Sequence, residues 1–285
     1  MMVTPPQPNG AFRWTQLHGL SALVCEALSP YASHFFTTRA WRLGERTPDA
    51  TEGWREVASS ANVDSGHLVR LSQIHGCDAI AYRHGDHERD RASRRADIVL
   101  TDDTSLALTV QTADCVPLLL VDRRTRAIGA AHGGWRGLAL GVPRAVVDRM
   151  VVEFGCRRDE LLVAIGPAIG ACCYEVGEDV RARFEQNGFS GDQLVRWFRA
   201  TPAAWPVNPP MPSLSLEQRP NHWFFDGWQC AREQLISAGV AADHVFSADL
   251  CTASHASVFC SYRRDGAVAG RMAAVIQSKK LEVRS

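Results

Sequence analysis

The chain has no surplus of charge. Its 31 basic residues face 31 acidic ones, so it lacks the positive field that would hold a polyanion, and a nucleic-acid-binding role is excluded; a local anion pocket is not. It also has no apolar run near the roughly 18 residues a membrane span needs, which argues against a membrane partner. Residues Met1 to Asn9 are rich in proline. They lack the basic and apolar segments of an export signal, and residues 1–12 are expected to be a disordered lead-in to a single domain over 13–285. The nine cysteines are an odd number, several of them in apolar surroundings such as Leu23-Val24-Cys25. Without an export signal, reduced thiols and a cytoplasmic location are expected rather than a disulfide framework. There is no internal repeat and no His-x-His pair.

What is present is ordinary globular composition, 46% hydrophobic and 22% charged, in a chain long enough to bury a sizeable core. Apolar residues recur at helical spacing through Val142, Val146, Met150 and Phe154, and a second helix is predicted from about Asp226 to Ala238, stopped by Gly239. Strands are predicted at Leu68 to Ile74, Ala96 to Leu100, Leu106 to Val110, Val116 to Val121, Ala127 to Ala131, Leu161 to Ile165, Val258 to Tyr262 and Met272 to Ile276. Several follow one another between Ala96 and Ala131 with no helix between them, which favours an α+β fold of mixed sheets over regular alternation. Arg83 to Arg95, crowded with both charges, and Arg199 to Asn221, with six prolines, read as loops; the second has the length of a lid or binding loop.

Three segments share one layout. Ser72-Gln73-Ile74-His75-Gly76 sets a histidine after an apolar strand, and Asp114-Cys115-Val116-Pro117 sets a cysteine between two strands. His132-Gly133-Gly134-Trp135-Arg136-Gly137 sets a histidine at a strand end before a helix. Strand ends hand side chains to a shared pocket, and glycine beside histidine allows close approach. Two imidazoles and one thiolate suit zinc with one position left open. Taken singly, Cys115 would more often be a buried inert thiol, and each histidine a hydrogen-bonding residue; the repetition of the layout makes His75, Cys115 and His132 candidate catalytic and metal-ligating residues. Arg136, at a helix start, suits a phosphate, with a surface arginine as the equal alternative. Arg39 could serve similarly. Asp114 precedes Cys115 on an extended backbone, so its side chain should point away from the thiol. Cys172-Cys173 reads as structural.

Taken together, these segments resemble the purine nucleoside phosphorylases formerly labelled multicopper polyphenol oxidases or laccase-domain proteins. The resemblance extends through Ile165-Gly166-Pro167-Ala168-Ile169-Gly170, Cys173-Tyr174-Glu175-Val176-Gly177, Cys251-Thr252, Ser261-Tyr262-Arg263-Arg264-Asp265-Gly266 and Gly270-Arg271. It implies α/β/β/α layers and zinc on His75, Cys115 and His132. It also implies phosphorolysis of adenosine, inosine, guanosine or methylthioadenosine, with deamination of adenosine; the partners are then a small-molecule nucleoside and phosphate. Three other readings use the same residues: a Cys–His hydrolase acting on a peptidoglycan precursor, copper-dependent oxidation of phenols, and a non-enzymatic scaffold. Copper oxidation wants further histidine clusters than the chain supplies, and structural zinc wants a fourth protein ligand.

Overall fold

The computed structural model describes residues 5–44, 50–85, 94–203, 207–211, 213–214 and 219–279. Its strands are β1 (Phe12–Leu17), β2 (Leu20–Cys25), β3 (Ala32–Thr37), β4 (Leu68–Arg70), β5 (Ala79–Tyr82), β6 (Ile98–Thr101), β7 (Ala107–Thr112), β8 (Val116–Asp122), β9 (Ile128–Gly133), β10 (Leu161–Ile165), β11 (Glu175–Gly177), β12 (Phe198–Arg199), β13 (His222–Phe225), β14 (Val245–Ser247) and β15 (Met272–Ser278). The helices are α1 (Ala50–Ser60), α2 (Trp135–Ala139), α3 (Val142–Phe154), α4 (Glu178–Gln186), α5 (Gly191–Trp197), α6 (Gly227–Ser237) and α7 (Tyr262–Asp265).

Two six-stranded mixed sheets, ordered β1-β2-β3-β15-β7-β4 and β14-β10-β8-β9-β6-β5, pack face to face, and β11-β13-β12 make a small third sheet. Strand β8 shows why its sequence is apolar throughout. Leu118 and Leu120 face the helices, while Leu119 and Val121 face the other sheet. A strand covered on both faces cannot alternate with polar residues. Phe36, Leu108 and Ile276 of the first sheet meet Val99, Leu119 and Ile128 of the second.

The outer face of the second sheet is covered by α3 and α6 through Val142, Val146, Met150, Ala231 and Leu235. The outer face of the first is covered by α1 through Trp54, Val57 and Ala58. The order helix, sheet, sheet, helix is the α/β/β/α layering expected of the fold. Each valine, leucine or methionine so buried contributes about 1.5–3 kcal/mol.

Helix α3 has the bounds its apolar spacing predicts, and Asp226 caps α6 by accepting the Gln229 N–H at 3.0 Å. Gly239, at φ +98°, turns the chain out of that helix. One prediction is corrected: Val258 to Tyr262 is not a strand. Val258 and Phe259 N–H both donate to the His255 carbonyl, and Ser261 accepts the Arg264 N–H to start α7. Local turn and cap bonds there override an apolar run.

Of the N-terminal lead-in, residues 1–4 lie outside the described residues, while Trp14 Nε1 donates to the Pro6 carbonyl at 2.8 Å and β1 begins at Phe12. Residues 86–93 of the charged loop lie outside them too, as do 204–206, 212 and 215–218 of the proline-rich one. Asn208 in that second loop is buried and fastened at both ends of its amide, donating to the Asp249 carbonyl at 2.6 Å and accepting the Cys251 N–H at 2.8 Å.

Candidate metal and active site

Strand register brings the three layout residues together. Pairing of Pro117 with His132 across β8 and β9 sets the end of β9 beside the β7–β8 turn that carries Cys115. Gln73 then fastens the segment after β4 to β7: its amide donates to the Gln111 carbonyl at 2.8 Å and accepts the Gln111 N–H at 2.7 Å. That pair of hydrogen bonds presents His75. The ligating atoms of His75, Cys115 and His132 consequently all lie within 4.8 Å of one another. The two imidazoles meet edge to face with centroids 4.9 Å apart. His75 is exposed, Cys115 half-buried and His132 buried, so the cluster has one open side.

Asp97 holds this arrangement. Its carboxylate accepts the N–H groups of Ile74, His75 and Gly76 at 3.2, 3.0 and 2.7 Å. It also pairs with His132 Nδ1 at 2.8 Å. His75 has φ +57°, and successive N–H groups bent through a left-handed residue make a concavity for an anion, here filled by a side chain. Burial works against ionisation of Asp97, but the bonds from His132, Gly76 and Ile74 outweigh it and hold the carboxyl below its ordinary range. With Nδ1 committed to Asp97, Nε2 is the His132 nitrogen left for the cluster.

Cys115 and His132 shift one another. Burial would raise the thiol, yet the His132 charge and hydrogen bonds from both imidazoles bring it down to about 6. Burial would lower His132, yet the Cys115 thiolate and Asp97 lift it to about 9. The pair is therefore stable as thiolate and imidazolium, and the thiolate is the form that ligates a metal or attacks an electrophile.

Gly134 is the glycine this geometry requires. A Cβ there would stand 2.9 Å from the His75 ring and 3.2 Å from Cys115 Sγ. The bare backbone keeps the ligating atoms free to converge.

Asp114 sits at φ +91° in the turn before Cys115. Its carboxylate accepts the Thr252 hydroxyl and the Arg263 N–H, each at 2.6 Å, so it braces the turn through Cys251-Thr252 and Ser261-Tyr262-Arg263. Tyr174 lies beside Cys115 in a cavity of about 40 Å³ that Trp135, Ile169 and Phe225 also line. Burial, reinforced by Cys115, pushes its phenol up, so it stays protonated at neutral pH. Arg263 stacks over the Tyr174 ring at 4.7 Å. A larger cavity, about 460 Å³, opens between Asn9 and Trp228 and is lined by no residue of the cluster; the soft ligands and shifted acidities mark the smaller one as the chemical site.

Arg136 is exposed on α2, stacked over Trp135 at 4.3 Å, and forms no ion pair with a described residue. The Arg39 guanidinium donates to the Ala256 carbonyl, and its charge is felt by Cys260 and Asp265. Asp97 has no part in any motif read from the sequence; its signal was a lone carboxylate at the head of the apolar run Ile98-Val99-Leu100. Tyr174 and Arg263 stood inside recognisable segments but had no role assigned.

Residues 38–279 match the family model of the multi-copper polyphenol oxidoreductase laccase. Purine nucleoside phosphorylase YfiH of Escherichia coli is 31% identical over 273 residues, covering 95% of both chains. Purine nucleoside phosphorylase YlmD of Geobacillus stearothermophilus is 30% identical over 277 residues, 95% of this chain and 91% of that one. A purine nucleoside phosphorylase of Bacteroides thetaiotaomicron is 33% identical over 195 residues, and that match spans 64% of its length. Among solved structures, the Bacillus licheniformis hypothetical protein YfiH superposes with a TM-score of 0.79 at 26% identity, covering 95% of this chain and all of that one.

Proposed function

This chain belongs to the multi-copper polyphenol oxidoreductase laccase family, and on that premise we propose that it is a purine nucleoside phosphorylase with zinc on His75, Cys115 and His132. The observation that carries the reading is the convergence of those three ligand atoms within 4.8 Å around the bare backbone of Gly134. One thiolate and two imidazoles with an open side match a catalytic zinc site, whereas multicopper oxidation would call for further histidine clusters; the other group of soft ligands among the described residues is all cysteine. Zinc bound there supplies Lewis acidity and a charge that orients an anion.

The substrates are adenosine, inosine, guanosine or methylthioadenosine together with phosphate, and removal of the amino group of adenosine is a side activity. Relatives named purine nucleoside phosphorylase support this choice. Attack of phosphate at the ribose C1′ passes through a transition state of oxocarbenium character, so the protein must hold the anion in line and ease departure of the base. The guanidinium of Arg136, with no ion pair among the described residues, is assigned to the phosphate. Arg39 is a second holder, since arginine has five N–H donors and the Ala256 carbonyl occupies only part of them. Asp97 keeps His132 in one tautomer, and the protonated Tyr174 phenol is a hydrogen-bond donor beside Cys115.

The test is release of hypoxanthine from inosine with metal content measured on the same sample. Release that requires phosphate and rises with zinc to one ion per chain is expected. A zinc-loaded, folded protein that releases no base would overturn the reading.

The thiolate–imidazolium state of Cys115 and His132 favours a second reading, a metal-independent Cys–His hydrolase of a peptidoglycan precursor. Activity that survives a chelator and is lost on alkylation of Cys115 would select it.

A further inference from the structure

Away from His75, Cys115 and His132 the fold collects a second trio of soft ligands. Cys172 and Cys173 lie on the turn after Gly170, and Cys251 lies where the chain bridges to Ala168. All three are buried, at 1% exposure or less, and their sulfurs lie within 4.8 Å of one another.

A buried cysteine is usually an inert small hydrophobe, and Cys25, Cys156 and Cys230 fit that description: buried thiols in no such group, their acidity suppressed by burial. The trio differs because its three sulfurs converge, with polar groups around them. The Gly170 N–H donates to Cys251 Sγ at 3.3 Å. The Ser254 hydroxyl stands 3.5 Å from the sulfurs of both Cys172 and Cys173, and is itself fastened to the Pro209 carbonyl at 2.8 Å. The proline-rich loop is thereby tied to the trio at Pro209.

We propose that Cys172, Cys173 and Cys251 form a second metal site, which takes one monovalent copper ion in three-sulfur coordination. The spacing suits it, since metal–sulfur bonds of about 2.3 Å put three sulfurs around one ion about 4 Å apart. The donor set suits it as well, because thiolates select the softest ions. Zinc would complete a tetrahedron, and no fourth histidine, cysteine or carboxylate among the described residues joins the group. Each thiol that binds gives its proton to solvent, so the site fills with release of protons. The ion ties together the segments that lead directly into Tyr174 and into Thr252, the latter hydrogen-bonded to Asp114 behind Cys115. The site does not depend on the reaction assigned to the other cluster.

The test uses the full chain, fully reduced, titrated with Cu(I) against a coloured Cu(I) chelator, with X-ray absorption to count the ligands. In a His75→Ala/Cys115→Ser protein, one copper per chain with three sulfur neighbours is expected. Cys251→Ser in that background should weaken binding at least a hundredfold. Copper with one sulfur and two nitrogens in the unaltered chain, or no copper held by the reduced and folded double variant, would sink the proposal. A second measurement covers failure of that variant to fold. Zinc-loaded wild-type protein should take up one copper while keeping its zinc and should melt at a higher temperature, whereas release of one zinc per copper bound would overturn the second site.

Discussion

The two trios, His75–Cys115–His132 and Cys172–Cys173–Cys251, each gather their ligand atoms within 4.8 Å but have opposite surroundings. The first stands at strand ends with an open side, a buried carboxylate behind it and imidazoles beside its thiol. The second is enclosed: hydrogen bonds from Cys172 and Cys251 hold Cys173 down, Cys173 and Cys251 push Cys172 up, and burial raises Cys251. Neighbours, rather than the ligating atoms, decide what a soft cluster can do. A thiolate balanced by an imidazolium and open to solvent can meet a substrate; three enclosed sulfurs cannot.

The largest effect that would test this contrast is loss of the first trio. Cys115→Ser or His132→Ala should each lower phosphate-dependent base release by about a thousandfold or more, the scale of removing a group that acts on the reacting atoms. Steady-state assays with inosine measure it. Retained activity in either variant would erase the difference between the trios.

Asp97→Asn comes next. An amide cannot accept three backbone N–H groups and an imidazole as a carboxylate does, so zinc affinity should fall about 10- to 100-fold. Urea unfolding should show a loss of about 3 kcal/mol, because buried donors are left without a charged acceptor. Chelator competition and the urea midpoint separate these two consequences.

Gly134→Ala should cost less. The added methyl must displace the His75 ring or the Cys115 sulfur, with about tenfold weaker zinc binding and 1–3 kcal/mol (roughly) of overpacking strain. Normal zinc affinity in that variant would mean that the glycine serves the turn and not the cluster.

The mildest probe leaves the sequence intact. In metal-free protein, limiting iodoacetamide at neutral pH should label Cys115 and spare Cys172, Cys173 and Cys251. Its rate should climb as pH rises through about 6 and then level off, since the Cys115 thiol is depressed to that value and the thiolate is the reacting form. Peptide mass spectrometry reads both. A climb that waits until about pH 8.5, the ordinary thiol range, would show that His132 does not hold the thiolate.

Much of this could be read before any coordinates. The apolar spacing of α3, the unbroken apolar runs of β8 and β10, and the strand-end placing of His75, Cys115 and His132 are local patterns. Asp97 was not legible because its role depends on three backbone N–H groups more than twenty residues upstream. Val258 to Tyr262 misled because its apolar composition concealed turn and cap bonds.

Composition and local pattern alone determined a neutral, mixed α+β chain with soft ligands at strand ends. Only the tertiary structure decided which ligands share a centre. That choice rests on register: pairing Pro117 with His132, and Gln73 with Gln111, joins segments whose separation along the chain carries no information about distance, and a slip of one residue would turn each side chain to the opposite face. The same packing brought Cys251 to Cys172 and Cys173, a meeting that no rule of spacing could anticipate.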